Sequence, residues 1–124
     1  MNMRIRIALV ALISISLAAN ASAQLVQKKA LNLEIAKQIA AAAEKEAAGA
    51  KLTMVIAILD DGGNLIYLER MNETQIGSIE VAQQKARSAV SFKRPTKVFE
   101  DAVVGGRNAI LKLPGAMPVE GACR

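Results

Sequence analysis

A short apolar segment followed by a glycine-rich turn places the strongest constraint on the fold. Residues 52–59 are almost continuously apolar and rich in β-branched side chains, which predicts a buried strand. Residues 60–64 (Asp-Asp-Gly-Gly-Asn) predict a turn, and residues 65–70 predict the second strand of an antiparallel hairpin. A strand that is apolar on both faces suits a partner on each edge. We therefore expect further pairing strands to be absent from this sequence or to come from another subunit.

The first predicted helix lies before the hairpin. Asn32 is a suitable N-cap, Glu34 lies in the first turn, and Gly49 is a suitable C-terminal stop. Helical spacing predicts an apolar inner face, formed by Ile35, Ile39, Ala42, Ala43 and Ala47.

Two more helices are predicted after the hairpin. One runs from 79 to about 91 with Ser78 as its cap, and the other covers 97–104 with Thr96 as its cap. A last short turn of helix is expected over 108–113. The inner face of the second helix is predicted from its apolar spacing: Ile79, Ala82, Ala86, Ala89 and Val90. The fold class is therefore α/β (α+β), an antiparallel sheet with packing helices.

The N-terminal residues have the pattern of a signal peptide. Arg4 and Arg6 precede an apolar run over 7–17, and residues 21–23 (Ala-Ser-Ala) form a small-residue cleavage site. We expect residues 1–23 to be removed, residues 24–30 to form a flexible N-terminus, and the product to be periplasmic or secreted. The apolar run is too short for a spanning helix, and no later stretch is long enough to span a bilayer.

Composition excludes several kinds of chemistry. The sequence contains no histidine, which excludes Ser-His-Asp triads and histidine-ligated zinc or haem within one chain. Its single cysteine, Cys123, has no intrachain partner for a disulfide. Without Arg4 and Arg6, fourteen basic residues remain against eleven acidic ones, a mild net charge of about +3. This charge, with only Tyr67, Phe92 and Phe99 as aromatics, does not indicate nucleic-acid binding.

Six short motifs follow one another between residues 60 and 121. They are Asp60-Asp61-Gly62-Gly63-Asn64-Leu65, Glu69-Arg70-Met71, Gly77-Ser78-Ile79, Lys85-Ala86-Arg87, Phe92-Lys93-Arg94-Pro95-Thr96, and Leu113-Pro114-Gly115 with Pro118-Val119-Glu120-Gly121. As an ordered set they resemble the GlcG/HbpS-like family of haem-binding or "haem-degrading" domains, over residues 31–121.

The resemblance implies a profilin-like outline, assembly into homo-oligomers, and haem as a candidate ligand. Members of the family continue after the Glu-Gly motif with two more strands and a final helix. This sequence reads Ala122-Cys123-Arg124 at that point. The family-like domain is therefore expected to cover 31–124 and to be incomplete at its C-terminal end, which agrees with the missing partner strands.

Basic side chains cluster between residues 85 and 97. The cluster comprises Lys85, Arg87, Lys93, Arg94 and Lys97. The helix start at Thr96 adds backbone N–H groups and the positive end of a helix dipole, which together suit a carboxylate or phosphate. With the family resemblance, we take Lys85, Arg87, Arg94 and Thr96 as the candidate residues for haem propionates or another small anion. The alternative is a solvated basic surface with Thr96 only as a cap.

Haem iron has few conventional ligands available here. Met71, Tyr67 and Cys123 are the candidates close to the motifs, and none is assigned as an axial ligand or as part of a separate metal site. Storage, sensing or degradation of haem all fit the resemblance. The alternatives are an accessory protein or enzyme acting on a small organic acid such as glycolate, a structural oligomer without a ligand, and a truncated product without function.

Overall fold

The computed structural model describes residues 28–122; the predicted signal peptide and Cys123 lie outside this range. The elements are helix α1 (Leu33–Gly49), strands β1 (Val55–Leu59) and β2 (Leu65–Arg70), helices α2 (Ser78–Phe92) and α3 (Lys97–Val104), and a 3-10 turn (Asn108–Lys112). This order confirms the mixed α/β class with an antiparallel sheet. Within residues 28–122, none of the helices combines the length and apolar content that a membrane crossing requires.

Helix α1 begins at the predicted cap and ends at the predicted glycine. The Asn32 side chain accepts a hydrogen bond from the backbone N–H of Ile35 at 2.9 Å, which satisfies one amide of the first turn. Gly49 is the last helical residue, and the left-handed conformation expected of it is adopted instead by Lys51, at φ 58°. The Leu52 amide then donates to the Ala47 carbonyl at 2.9 Å. This backward bond holds Leu52 at the helix end, so β1 starts at Val55 rather than at residue 52.

The inner face of α1 differs from the predicted one. Its buried residues are Ala36, Ala40 and Ala47, whereas Ile35 and Ile39 are 43% and 47% exposed. The prediction was wrong for Ile35, Ile39 and the exposed Ala42, because α1 carries two neighbouring apolar rows. Periodicity does not decide which row faces inward. The alanine row packs against the hairpin, where small side chains let the helix backbone come close.

The β1–β2 hairpin has the predicted antiparallel pairing. Ile56 lies opposite Glu69 and Ile58 opposite Tyr67, and the register shifts by one residue after Ile58. In the turn, Gly63 has φ +82°, a conformation that glycine adopts without the strain of a side chain. Between residues 28 and 122 the sheet has these two strands. Helix α1 packs against both of them and α2 packs against β1.

Helices α2 and α3 meet at the Lys93–Thr96 connection. Lys93 takes the left-handed conformation at φ 54° and ends α2. Ser78 is the first residue of α2 rather than its cap, so that capping prediction was wrong. Of the predicted inner face of α2, Ala89 is fully buried, and it is joined there by the polar Ser88. The remaining predicted residues, Ile79, Ala82, Ala86 and Val90, are half-buried.

Candidate functional site

A C-terminal segment lies across α2 and α3, next to the predicted basic cluster. We call residues 113–122 the strap. The Met117 amide donates to the Ser88 hydroxyl at 3.0 Å, and the Glu120 amide donates to the Glu100 carboxylate at 2.6 Å. Both acceptors are helix side chains, one on α2 and one on α3. The strap is therefore attached to the two helices through polar contacts with side chains.

Thr96 forms the third attachment point, in a different role from the predicted cap. It lies directly before α3 with helical backbone angles, φ −65° and ψ −24°. Its hydroxyl accepts a hydrogen bond from the Ala122 amide at 3.2 Å, and its own amide donates to the Ala122 carbonyl at 3.0 Å. Thr96 is fully buried. The expectation that its amide is open to an anion is wrong in this structure, because a strap carbonyl takes that hydrogen bond.

Lys85 lies against the same end of the strap. A Cβ atom built on Gly121 would come within 2.6 Å of the Lys85 ammonium nitrogen. Gly121 also has φ +115°, which a side chain would strain. Glycine at this position therefore lets the ammonium group approach the strap backbone directly.

Arg94 is held at the junction of the two helices by an aromatic pair. The Phe92 and Phe99 rings meet edge to face, with centroids 5.2 Å apart and planes at 77°. The Arg94 guanidinium carbon lies 5.9 Å from the centroid of the Phe99 ring, and its Nε donates to the Phe92 carbonyl at 3.1 Å. These contacts fix the cation two residues before Thr96 and give it a cation–π interaction.

Lys97 contributes a cation at the other side of the strap end. Its ammonium group lies 2.9 Å from an Asp101 carboxylate oxygen and 3.9 Å from a Glu120 carboxylate oxygen. The hydrogen bond to Asp101 is the main cause of a raised Lys97 pKa, followed by the charges of Asp101 and Glu120. We refer to Lys85, Arg94 and Lys97 together as the cationic group. Lys85 and Lys97 lie against strap residues 120–121, and Arg94 lies two residues before Thr96, which binds the strap.

Arg87 is separated from the cationic group by the geometry of α2. It is exposed and lies two positions after Lys85. Residues two apart on a helix do not face each other, so the two side chains point to different sides. The structure thus places Lys85 and Thr96 at one strap end, holds Arg94 on Phe99 two residues before Thr96, and leaves the predicted Arg87 on another side of α2.

The sequence alone did not assign a role in the site to Ser88, Glu100 or Gly121. A serine beside Ala89 on the buried side of a helix signals a hidden hydrogen-bond partner, since buried polar groups are almost always paired. The sequence carries no comparable signal for Glu100, because glutamate in the first turn of a helix is already favoured by the helix dipole.

The Tyr67 phenol is engaged elsewhere in the fold. Its hydroxyl donates to a Glu69 carboxylate oxygen at 2.7 Å, and the two residues lie two apart on β2. This hydrogen bond is the main cause of a raised Tyr67 pKa. The protonated phenol is therefore favoured over the phenolate that binds haem iron in some proteins. Met71, the second candidate, is half-buried at the end of β2.

Comparison with protein families gives one match over most of the chain. The family model described as "Haem degrading protein HbpS-like" matches residues 31–123. Among curated proteins, Protein GlcG of Escherichia coli K12 is 36% identical over 94 residues, which is 76% of this chain and 70% of GlcG.

Solved structures show the same fold. A Klebsiella pneumoniae protein named ORFY superposes with a TM-score of 0.69 at 30% identity, covering 79% of this chain and 70% of that protein. A double mutant of Streptomyces reticuli HbpS superposes with a TM-score of 0.65 at 27% identity, covering 77% and 65% of the two chains. The residues that the family model matches, 31–123, include α1, the hairpin and the two helices that carry the cationic group.

Proposed function

The chain belongs to the HbpS-like family, and on that basis we propose that it binds haem through the propionate carboxylates. The observation that carries the proposal is the cationic group: two lysines lie against strap residues 120–121, and Arg94 is held on Phe99 two residues before the strap-binding Thr96. Arginine recognises a carboxylate through two parallel hydrogen bonds and lysine acts as a compact charge, so the group suits a ligand with two carboxylates.

Apolar side chains beside these charges fit the porphyrin ring. Val98 on α3 is 45% exposed next to Lys97, and Val119 on the strap is 44% exposed next to Glu120. Haem is anionic at its propionate edge and apolar over the rest of its face, so its site needs exposed apolar side chains as well as charges. Typical ligand sites combine apolar lining with a few polar groups that fix orientation.

The donor set fits the carboxylates of haem better than its iron. The sequence has no histidine, and the Tyr67 phenol is committed to Glu69 at 2.7 Å. When bound, haem would supply a redox-active iron; the residues of this chain would hold and orient the carboxylate edge. This division suits storage, sensing or delivery to a degrading step, none of which requires a strong ligand from the chain.

A haemin titration followed in the Soret band tests the proposal. We expect saturable binding by the unaltered protein, and weakening by about tenfold for Lys85→Gln or Arg94→Gln, since a charged hydrogen bond is worth about 1.5–3 kcal/mol. Arg107→Gln, an exposed arginine outside the cationic group, is the matched control and should leave binding unchanged.

Two further compounds, haemin dimethyl ester and glycolate, show which chemical group the protein recognises. Haemin dimethyl ester keeps the porphyrin and iron but lacks the propionate charges, so it should bind much more weakly than haemin. Equal binding of the ester contradicts recognition through carboxylates. Stabilisation of the protein by glycolate, with no effect of haemin, supports instead the alternative of a protein that acts on a small organic acid.

Export forms part of the same proposal and is supported by the N-terminal sequence pattern. Arg4 and Arg6, the apolar run over 7–17 and the Ala-Ser-Ala site predict cleavage after Ala23. In an expressing bacterium, we expect the protein in the periplasmic or extracellular fraction with Gln24 as its first residue. Ala23→Asp should block cleavage, and an uncleaved cytoplasmic product of the unaltered gene contradicts export.

Self-association also belongs to the proposal and is supported by apolar surface on α1. Leu33, Ile35 and Ile39 are each between 43% and 47% exposed. Light scattering after size-exclusion chromatography should show an oligomer that Ile35→Lys with Ile39→Lys dissociates. Lys37→Gln, on the same helix, is the control. A monomer at every concentration contradicts assembly.

A further inference from the structure

The strap places its own acceptor groups where an anionic ligand would bind. The Ala122 carbonyl receives the Thr96 amide at 3.0 Å, and the Glu120 carboxylate lies 3.9 Å from the Lys97 ammonium group. The Lys85 ammonium group lies against the Gly121 backbone. Two of the three members of the cationic group are therefore in contact with the strap itself.

The strap is attached mainly through polar contacts and buries little apolar surface. Leu113 and Val119 are 42% and 44% exposed, whereas Met117 is half-buried. Three of its amides donate to side chains: that of Met117 to Ser88 on α2, that of Glu120 to Glu100 on α3, and that of Ala122 to Thr96 between the helices. Each of these hydrogen bonds contributes only modestly to the net free energy, so a segment held mainly by them can leave while the helices stay folded.

We infer that the strap is an internal competitor for the proposed carboxylate site, and that haem carboxylates displace residues 120–122 when they bind. This inference rests on the proposed haem function. In the closed state the strap satisfies the Thr96 amide and neutralises part of the charge of Lys97. In the open state a propionate takes over these contacts. The apparent affinity for haem is then reduced by the fraction of molecules that are closed.

Loosening the strap without touching the cationic group tests the inference. Ser88→Ala removes the acceptor of the Met117 amide, while Ser91→Ala changes an exposed serine on the same helix and serves as the control. Loss of one such hydrogen bond should lower the apparent Kd for haemin by roughly three- to tenfold. Glu100→Ala, which removes the acceptor of the Glu120 amide, should act in the same direction and replaces Ser88→Ala if that variant does not fold.

Hydrogen exchange gives a second readout that does not depend on affinity. In the ligand-free protein the amides of Met117, Glu120 and Ala122 should be protected, and haemin should abolish the protection of Glu120 and Ala122. A Kd that is unchanged or higher in both variants, or retained protection with haemin bound, overturns the strap inference and leaves haem binding intact. Failure of the unaltered protein and both variants to bind haemin overturns the proposed function together with the inference.

Discussion

The two halves of the described structure bury different kinds of side chain. Where α1 meets the hairpin, the buried residues are apolar: Ala36, Ala40, Ala47 and Ile56. On α2, α3 and the segment between them, the buried apolar residues Ala89 and Phe99 are joined by the fully buried hydroxyls of Ser88 and Thr96. Apolar packing tolerates little change in volume or charge, whereas a contact made by hydrogen bonds can open and close. The first half is therefore a fixed scaffold, and the second is suited to binding with movement.

The largest expected effect is a charge in the apolar half. Ala36 is fully buried, with 0% of its surface accessible to solvent, so Ala36→Glu buries a carboxylate without a partner. We expect a loss of about 3 kcal/mol or more, a large fraction of the stability of a small domain. In protein diluted below the concentration at which the proposed oligomer forms, the adjacent Ile35→Glu, at a 43% exposed position, should change stability by less than about 0.5 kcal/mol.

Chemical denaturation of both variants checks which row of α1 faces inward. If Ile35→Glu is the more damaging substitution, the isoleucine row is buried as sequence periodicity predicted, and the packing of α1 described above is incorrect.

The second effect separates two arginines of the predicted site. Arg94→Gln removes the cation held over Phe99 and should weaken haemin binding about tenfold, while Arg87→Gln should have no effect because Arg87 lies on another side of α2. Haemin titration of the two variants provides the measurement. Equal weakening of haemin binding by the two substitutions would show that the ligand contacts both arginines, as the predicted four-residue site requires.

A smaller effect is expected from the buried threonine. Thr96→Val keeps the shape of the side chain and removes the hydroxyl that accepts the Ala122 amide at 3.2 Å. Denaturation should show a loss of about 1 kcal/mol, with faster exchange of the Ala122 amide. Thr53→Val, at an exposed position before β1, is the control. A similar small change in both variants would mean that the strap contributes nothing through Thr96.

The smallest effect concerns acid stability of the hairpin turn. Hydrogen bonds from the Asn64 side chain and backbone, followed by those from Gly62 and Gly63, lower the Asp60 pKa below 3.8. A lowered pKa stabilises the fold above the unfolded pKa, and this contribution disappears as pH falls through the folded pKa. Asp60→Asn should therefore flatten the loss of stability below about pH 4.

The neighbouring Asp61 provides a contrast for that titration. Its pKa is lowered mainly by the Lys28 side chain, 2.7 Å away in an exposed salt bridge. Because salt screens exposed charges, the effect of Asp61→Asn on acid stability should vanish at about 1 M salt. The effect of Asp60→Asn should persist there, since short hydrogen bonds depend less on ionic strength. Identical salt dependence of the two variants contradicts this distinction.

Local patterns predicted most of the fold. The hairpin turn and the Asn32 cap involve residues within five positions of each other, so turn chemistry and capping rules identify them. The inward row of α1 was missed because two apolar rows compete and only the tertiary contact with the hairpin selects one.

The candidate site was harder to predict because its contacts are distant in sequence. Thr96 pairs with Ala122, 26 positions later, and Ser88 pairs with Met117, 29 positions later. A threonine before a helix reads as a cap from the sequence, and only the fold shows that its hydroxyl serves the strap. Lys85 and Arg94 were identified because charge clustering is visible in sequence; the displacement of Arg87 follows from helix geometry.

Thermal unfolding with and without excess haemin tests directly whether the folded chain binds haem. We expect a cooperative transition for the protein alone. At a haemin concentration of about 100 times Kd, the Tm should rise by about 10 °C, because a ligand that binds the folded state stabilises it by mass action. A cooperative transition that haemin leaves unmoved contradicts haem binding by this chain. Absence of a cooperative transition contradicts the folded scaffold itself.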